Sequence, residues 1–170
     1  MEKIPTMFVR DESKPGHPVT DQIKSECQWV LDGEGTATRK LDGMNVKIQN
    51  GKLFKRQKPK ERDYDNASYV ECEPCSPNDK YLFEAFGNGK LADGIYEAVG
   101  PKIQGNPERY NKHILIRVVP FDLSLVIKNI PRDFNGLKEY LSDHDMEGIV
   151  FHHPDGRFAK IKKKDFGLKR

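Results

Sequence analysis

Apolar and polar residues alternate in two neighbouring stretches of this chain. Met44-Asn45-Val46-Lys47-Ile48-Gln49 does so, and Lys52-Leu53-Phe54-Lys55-Arg56 follows it. A period of two marks a strand with one face against a core. Asn50-Gly51 stands between them, and the tight hairpin turn needs positive φ at both central residues, which this dipeptide supplies. A hairpin is therefore predicted, with the charged residues of its second strand within reach of whatever Lys40 binds. Upstream, Gly33-Glu34-Gly35 reads as a turn, and residues 36–39 as a short strand delivering Lys40. Further strands are predicted over residues 95–99, 114–119, 148–152 and 157–161, the last two joined at Asp155-Gly156. Asp79 can cap a short helix through Phe86, closed by Gly87-Asn88-Gly89. Residues 135–142 read as a second helix, with Leu137, Tyr140 and Leu141 on one side. Residues 58–78 are polar, carry three prolines and read as a surface loop, and residues 100–107 are too rich in Gly and Pro to be regular. Residues 1–22 read as an extended arm, with Met7-Phe8-Val9 pairing at a sheet edge. The succession is mostly antiparallel strands with a few flanking helices, an α+β plan, and no internal repeat stands out.

The chain has 170 residues, which fits a single domain over 1–170 with a real core. Its formal net charge is only +3, so the global balance does not announce nucleic acid. The local distribution says more. Lys52, Lys55, Arg56, Lys58, Lys60 and Arg62 fall in one stretch, and Lys160, Lys162, Lys163, Lys164, Lys169 and Arg170 crowd the other end. Two basic patches suit a phosphate-rich ligand, although basic runs often serve solubility alone. No apolar stretch approaches a membrane span, and the N-terminus lacks the apolar core of a signal peptide, so a cytoplasmic protein with no membrane contact is expected. The three cysteines fit a reducing compartment. Cys72-Glu73-Pro74-Cys75 has half the spacing of a zinc site, but free thiols in a loop are the plainer reading.

Candidate chemistry centres on Lys40-Leu41-Asp42-Gly43. A lysine nucleophile must be neutral to attack, and burial or neighbouring cations would lower its ordinary pKa of about 10.4. Arg56, Lys160 and Lys162 are candidates for that company, and for stabilising charge on a reacting phosphate. Glu97 lies within a predicted strand and Glu147 opens another. Either carboxylate can accept from a ribose hydroxyl or hold a metal, although most strand glutamates simply face water. Phe121 follows Val118-Val119, where an aromatic is more often core than a base-stacking platform. Asp42 has the plain alternative of turn chemistry. His152 and His153 point to opposite faces of a strand, so both cannot serve one site. Trp29 reads as core, and His113 and His144 as surface. There is no Gly-x-Gly-x-x-Gly and no Walker-type phosphate loop.

Taken in order, Lys40-Leu41-Asp42-Gly43, Arg56, Tyr96-Glu97, Phe121, Glu147-Gly148-Ile149-Val150 and Lys160-Ile161-Lys162 resemble the motifs of the covalent nucleotidyltransferase superfamily. The segment from Tyr96-Glu97 into Gly100-Pro101-Lys102-Ile103-Gln104-Gly105-Asn106-Pro107 is similar to the RNA ligase 1-like family of ATP-dependent RNA ligases. So is the segment from Glu147 through Arg157-Phe158-Ala159-Lys160 to Phe166. The resemblance spans about residues 36–167 and is poor across 58–78. It implies a minimal adenylation domain of the ATP-grasp-like ligase type, with no OB domain. Lys40 would form a lysine–AMP phosphoramidate, with Leu41 beside it among the nucleotide-binding residues. Arg56 would contact the ribose-phosphate side or the activated end. Glu97 would hold the ribose hydroxyls, Phe121 would stack on adenine, and Lys160 and Lys162 would contact phosphates. Glu147 would bind the nucleotide's metal, Mg2+ with Mn2+ as a substitute. Lys55, Lys58, Lys163 and Lys164 would touch nucleic acid. The implied partners are ATP and the 5′-phosphate and 3′-hydroxyl ends of RNA, with no obligate protein partner. A small DNA-nick ligase, another covalent nucleotidyltransferase and a non-catalytic nucleic-acid-binding domain of the same fold are the alternatives.

Overall fold

The computed structural model describes residues 4–57 and 68–170. The chain is α+β, its sheets mostly antiparallel and its helices few. It divides into two units, an inserted one over Asp42–Asp122 and a terminal one built from Ile4–Leu41 and Leu123–Arg170.

The inserted unit carries β4 (Met44–Gln49), β5 (Lys52–Arg56), β6 (Tyr69–Glu71), α2 (Lys80–Phe86), β7 (Gly94–Val99) and β8 (Ile114–Val119). Its five strands run in the order β6-β5-β4-β7-β8. The predicted hairpin is present, with Asn50 at φ 52° and Gly51 at φ 70°. The alternation resolves as expected. Val46, Ile48, Leu53, Tyr96 and Ala98 turn to one face and bury against Leu82 and Phe86 of α2. Cross-strand partners share a face, so Asn45 opposite Glu97, Lys47 opposite Phe54, and Arg56 opposite Tyr69 all lie on the other face.

Two expectations need correction here. The stretch 58–78 is not loop throughout, because Tyr69–Glu71 pairs with β5, and its residues 58–67 lie outside the described ones. Asp79 precedes α2, but its side chain does not cap the helix. It is 1% exposed, and its carboxylate accepts from the Lys55 ammonium and from Glu73 N at 3.0 Å.

The terminal unit carries β1 (Phe8–Arg10), β2 (Val19–Ile23), α1 (Gln28–Leu31), β3 (Thr36–Lys40), α3 (Phe134–Asp143), β9 (Gly148–His152) and β10 (Phe158–Lys162). Its main sheet has the order β10-β9-β3. Ala37, Ile149, Phe151, Ala159 and Ile161 point into a core shared with Trp29, Val30, Leu137 and Leu141. Asp133 caps α3, its carboxylate accepting from Gly136 N at 2.9 Å. The N-terminal stretch pairs β1 with β2, and Met7 and Phe8 are core residues. Among the described residues no helix is long and apolar enough to cross a membrane.

Candidate functional site

In the terminal unit the strand register lines up the candidate residues. Lys40, Gly148 and Lys162 face one another across the three strands, and Thr38, Val150 and Lys160 form the next row. Side chains repeat every second residue, so both rows stand on the face opposite the core. Gly148 leaves an opening in the middle of the first row. A Cβ there would lie 2.3 Å from the Ile161 carbonyl oxygen and 2.8 Å from Lys162 Cα, which only glycine avoids. Glu147 reaches the two lysines on either side. Its Oε2 is 2.5 Å from Lys40 Nζ and its Oε1 is 3.0 Å from Lys162 Nζ. Burial would push its pKa up, but Lys40 and Lys162 prevail and hold it below the usual carboxylate value.

Lys160 lies one row away with no ion-pair or hydrogen-bond partner for its ammonium among the described residues. Burial, then the charges of Lys162 and Lys40, lower its pKa to about 8. Three lysines thus gather around Glu147, and the other carboxylate acting on Lys160, Asp165, is already paired with Arg10. This leaves an excess of positive charge that suits an anion with several oxygens. In the third row, His152 is pushed down to about 4 by burial and is neutral at ordinary pH. Its Nε2 is 2.8 Å from Thr38 Oγ1. His153 turns the other way, onto Trp29 and Glu34, as strand geometry requires.

The inserted unit holds the remaining motif residues. Glu97 Oε1 accepts from Gly43 N at 3.2 Å, and its Oε2 accepts from Asn45 Nδ2 at 3.4 Å. Tyr69 donates its hydroxyl to Asn45 Oδ1 at 2.5 Å. Glu108 accepts from Asp42 N at 3.1 Å, so both amides of the turn after Lys40 are held by carboxylates. Burial raises the Tyr69 pKa, with Glu97 adding to the rise and Arg56 opposing it. Arg56 and Glu97 therefore share the electrostatic surroundings of one tyrosine. The Lys47 ammonium lies 5.2 Å from the Phe54 ring centroid and 5.3 Å from that of Tyr69. Phe121 follows β8, half-buried, and bridges back to Val118.

Asn45, Tyr69 and Glu108 were not among the expected site residues. Alternation from Lys47 already placed Asn45 on the polar face. Tyr69 lay in a stretch read as loop, and Glu108 is brought in by an irregular segment that no periodicity describes.

The remaining candidates divide. Leu41 is 3% exposed, and its carbonyl accepts from Lys40 Nζ at 3.4 Å. Lys55 is committed to Asp79, and Lys163 is buried with its Nζ donating to the His144 carbonyl at 3.0 Å. Lys164 is exposed, and Lys58 lies outside the described residues. His113, expected at the surface, has a side chain only 12% exposed, stacked on Tyr81 and paired with Glu84. Cys72 is buried and Cys75 exposed, and all three thiols are free. No model of a known protein family matches the chain, and no curated protein does.

Proposed function

We propose that this protein is an ATP-dependent RNA ligase that works through a lysine–AMP intermediate. The observation that carries this reading is the row formed by Lys40, Gly148 and Lys162, with Glu147 bonded to both lysines and Lys160 beside them. A nucleotidyltransferase needs a lysine nucleophile, a proton acceptor in contact with it and cations for the departing phosphates. In the first step Lys40 Nζ forms a bond to the α-phosphorus of ATP, and the bond to the bridging oxygen breaks. Pyrophosphate leaves past Lys160 and Lys162. Lys40 first gives one ammonium proton to solvent and attacks as the neutral amine. The second proton, lost as the N–P bond forms, passes to Glu147, whose Oε2 already accepts its hydrogen bond. In the second step the phosphoramidate breaks, and AMP passes to the 5′-phosphate of RNA. In the third, a 3′-hydroxyl attacks that activated end and AMP departs.

A single carboxylate that shares its oxygens with two ammoniums fits magnesium only when the nucleotide brings phosphate oxygens of its own. Glu147 would hold such an ion, which would neutralise phosphate charge. The resemblance would give Arg56 the sugar-phosphate, Glu97 the ribose hydroxyls and Phe121 the base.

The test is incubation with magnesium and α-labelled ATP, followed by a denaturing gel, with Lys40→Ala alongside. A labelled band for the wild type and none for the variant is expected. Absence of label from folded protein that intact mass shows to be free of AMP would overturn the reading in favour of a binding domain. Faster sealing of nicked DNA than of RNA ends would move the assignment to a DNA ligase.

A further inference from the structure

The lysine pair on β10 is held in place from outside the motifs, by the first residues of the described chain. β10 is the last strand of its three-stranded sheet, so its outer backbone groups need other partners. The N-terminal segment supplies them. Lys160 N donates to the Pro5 carbonyl at 2.9 Å, Met7 N donates to the Lys160 carbonyl at 2.9 Å, and Thr6 bridges Lys160 in parallel. Met7 and Phe8, at 0% and 1% exposure, anchor this segment in the core.

A second link reaches Lys162. Asp165 is 1% exposed, and its Oδ2 accepts from Lys162 N at 2.9 Å. Its Oδ1 accepts from Arg10 Nη2 at 2.5 Å. Arg10 is itself held, donating Nη1 to the His17 carbonyl at 2.7 Å and Nη2 to Thr6 Oγ1 at 3.4 Å. Contacts therefore run from Arg10 through Asp165 to the Lys162 backbone, and through the Lys162 side chain to Glu147 and Lys40. Without Arg10, a carboxylate out of reach of water would lose the counter-charge bonded to it and would be free to pull Lys162 out of line.

We propose that the N-terminal strand is part of the phosphate-binding machinery, with Arg10 and Asp165 as positioning residues for Lys160 and Lys162. This rests on the nucleotidyltransferase reading of the lysine cluster. Neither residue touches the reacting groups, so their effect acts through the geometry of the lysine pair. A segment that only covered apolar surface would change the fraction of folded protein and leave the affinity for phosphate alone.

The experiment compares wild type, Arg10→Ala, Arg10→Lys and Asp165→Asn. It has two readouts, the rate of labelling by α-labelled ATP against ATP concentration and backbone amide exchange at Lys160 and Lys162. For Arg10→Ala and Asp165→Asn, half-saturating ATP should rise about tenfold with the labelled fraction at saturation unchanged. The Lys162 amide should exchange about tenfold faster. Arg10→Lys should recover most of both. A lower labelled fraction at unchanged half-saturation, or unchanged Lys162 exchange, would overturn the proposal. Should Arg10→Ala fail to fold, Arg10→Lys and Asp165→Asn carry the same comparison. If even the wild type takes no label, the ligase reading falls, and titration with inorganic pyrophosphate decides the bracing role alone. Weaker pyrophosphate binding with faster Lys162 exchange would support it, and no change in either would sink it.

Discussion

Lys160 departs far from the ordinary behaviour of a lysine. Its neighbours on the sheet face are two more lysines, Glu147 is already shared between those two, and Asp165, which also acts on Lys160, is bonded to Arg10. Burial and this company lower its pKa from 10.5 to about 8. Between those two values the unfolded chain keeps a proton that the folded chain has shed. Stability therefore rises with pH across that window, and the strain of a protonated Lys160 is fully felt below pH 8. Lys160→Met removes the charge and keeps the length. It is expected to stabilise the protein by about 2 kcal/mol at pH 7, an advantage that fades as the pH climbs towards the ordinary lysine value. Urea denaturation of both forms at neutral and alkaline pH measures this. On the proposed function the same variant labels poorly with ATP, so stability and activity move in opposite directions. On that function, a group that costs stability where it stands is explained by the anion it would bind.

At the level of elements, Gly148 shows how a strand pairing makes room for chemistry. With a Cβ 2.3 Å from the Ile161 carbonyl oxygen, Gly148→Ala must push β9 and β10 apart just where Lys162 is registered opposite Gly148. The expected cost is about 2–3 kcal/mol, read as a lower midpoint in thermal or chemical unfolding. The motif glycine was legible in the sequence, but the reason for it was not, because the clash is with a strand thirteen residues further on. The same division runs through the fold. The Asn50-Gly51 hairpin is local, and its turn chemistry and alternation agree, so the fold of residues 44–56 is legible in the sequence. The sequence predicts the helix after Asp79 for a partly wrong reason, since that carboxylate serves Lys55 and Glu73 N instead of the helix end. β6 has only three residues and α1 four, too short for a period to show. Met7-Phe8-Val9 is expected at a sheet edge and pairs there, but its partner β2 and the burial of Met7 and Phe8 are not legible in a stretch whose composition prolines and charges dominate. Local grammar carried what neighbours in sequence decide. The Asn45, Tyr69 and Glu97 chain joins three separate strands and needed the register.

For the whole molecule, a formal net charge of +3 is too small to draw in a polyanion by its overall field. Any grip on RNA must come from particular side chains, and the folded chain withdraws some of the obvious ones. Lys55 is tied to buried Asp79, and Lys163 is 9% exposed with its ammonium on the His144 carbonyl. Lys164, its neighbour, is exposed. The C-terminal basic run is thus a mixture of structural and available charge, which the sequence alone presents as uniform. On the proposed function, Lys164→Glu is expected to weaken binding of a single-stranded RNA by a similar factor whatever its sequence. It should also reduce the slope of log affinity against log salt by about 0.7, the share of one phosphate contact. Lys163→Met should instead lower thermal stability and leave the salt slope of the folded protein as it was. Fluorescence anisotropy over a range of salt concentrations, with melting curves of both variants, separates the two. Equal loss of affinity from both substitutions would mean that the basic run acts as a diffuse patch, and that the internal bond of Lys163 is not what fixes its role.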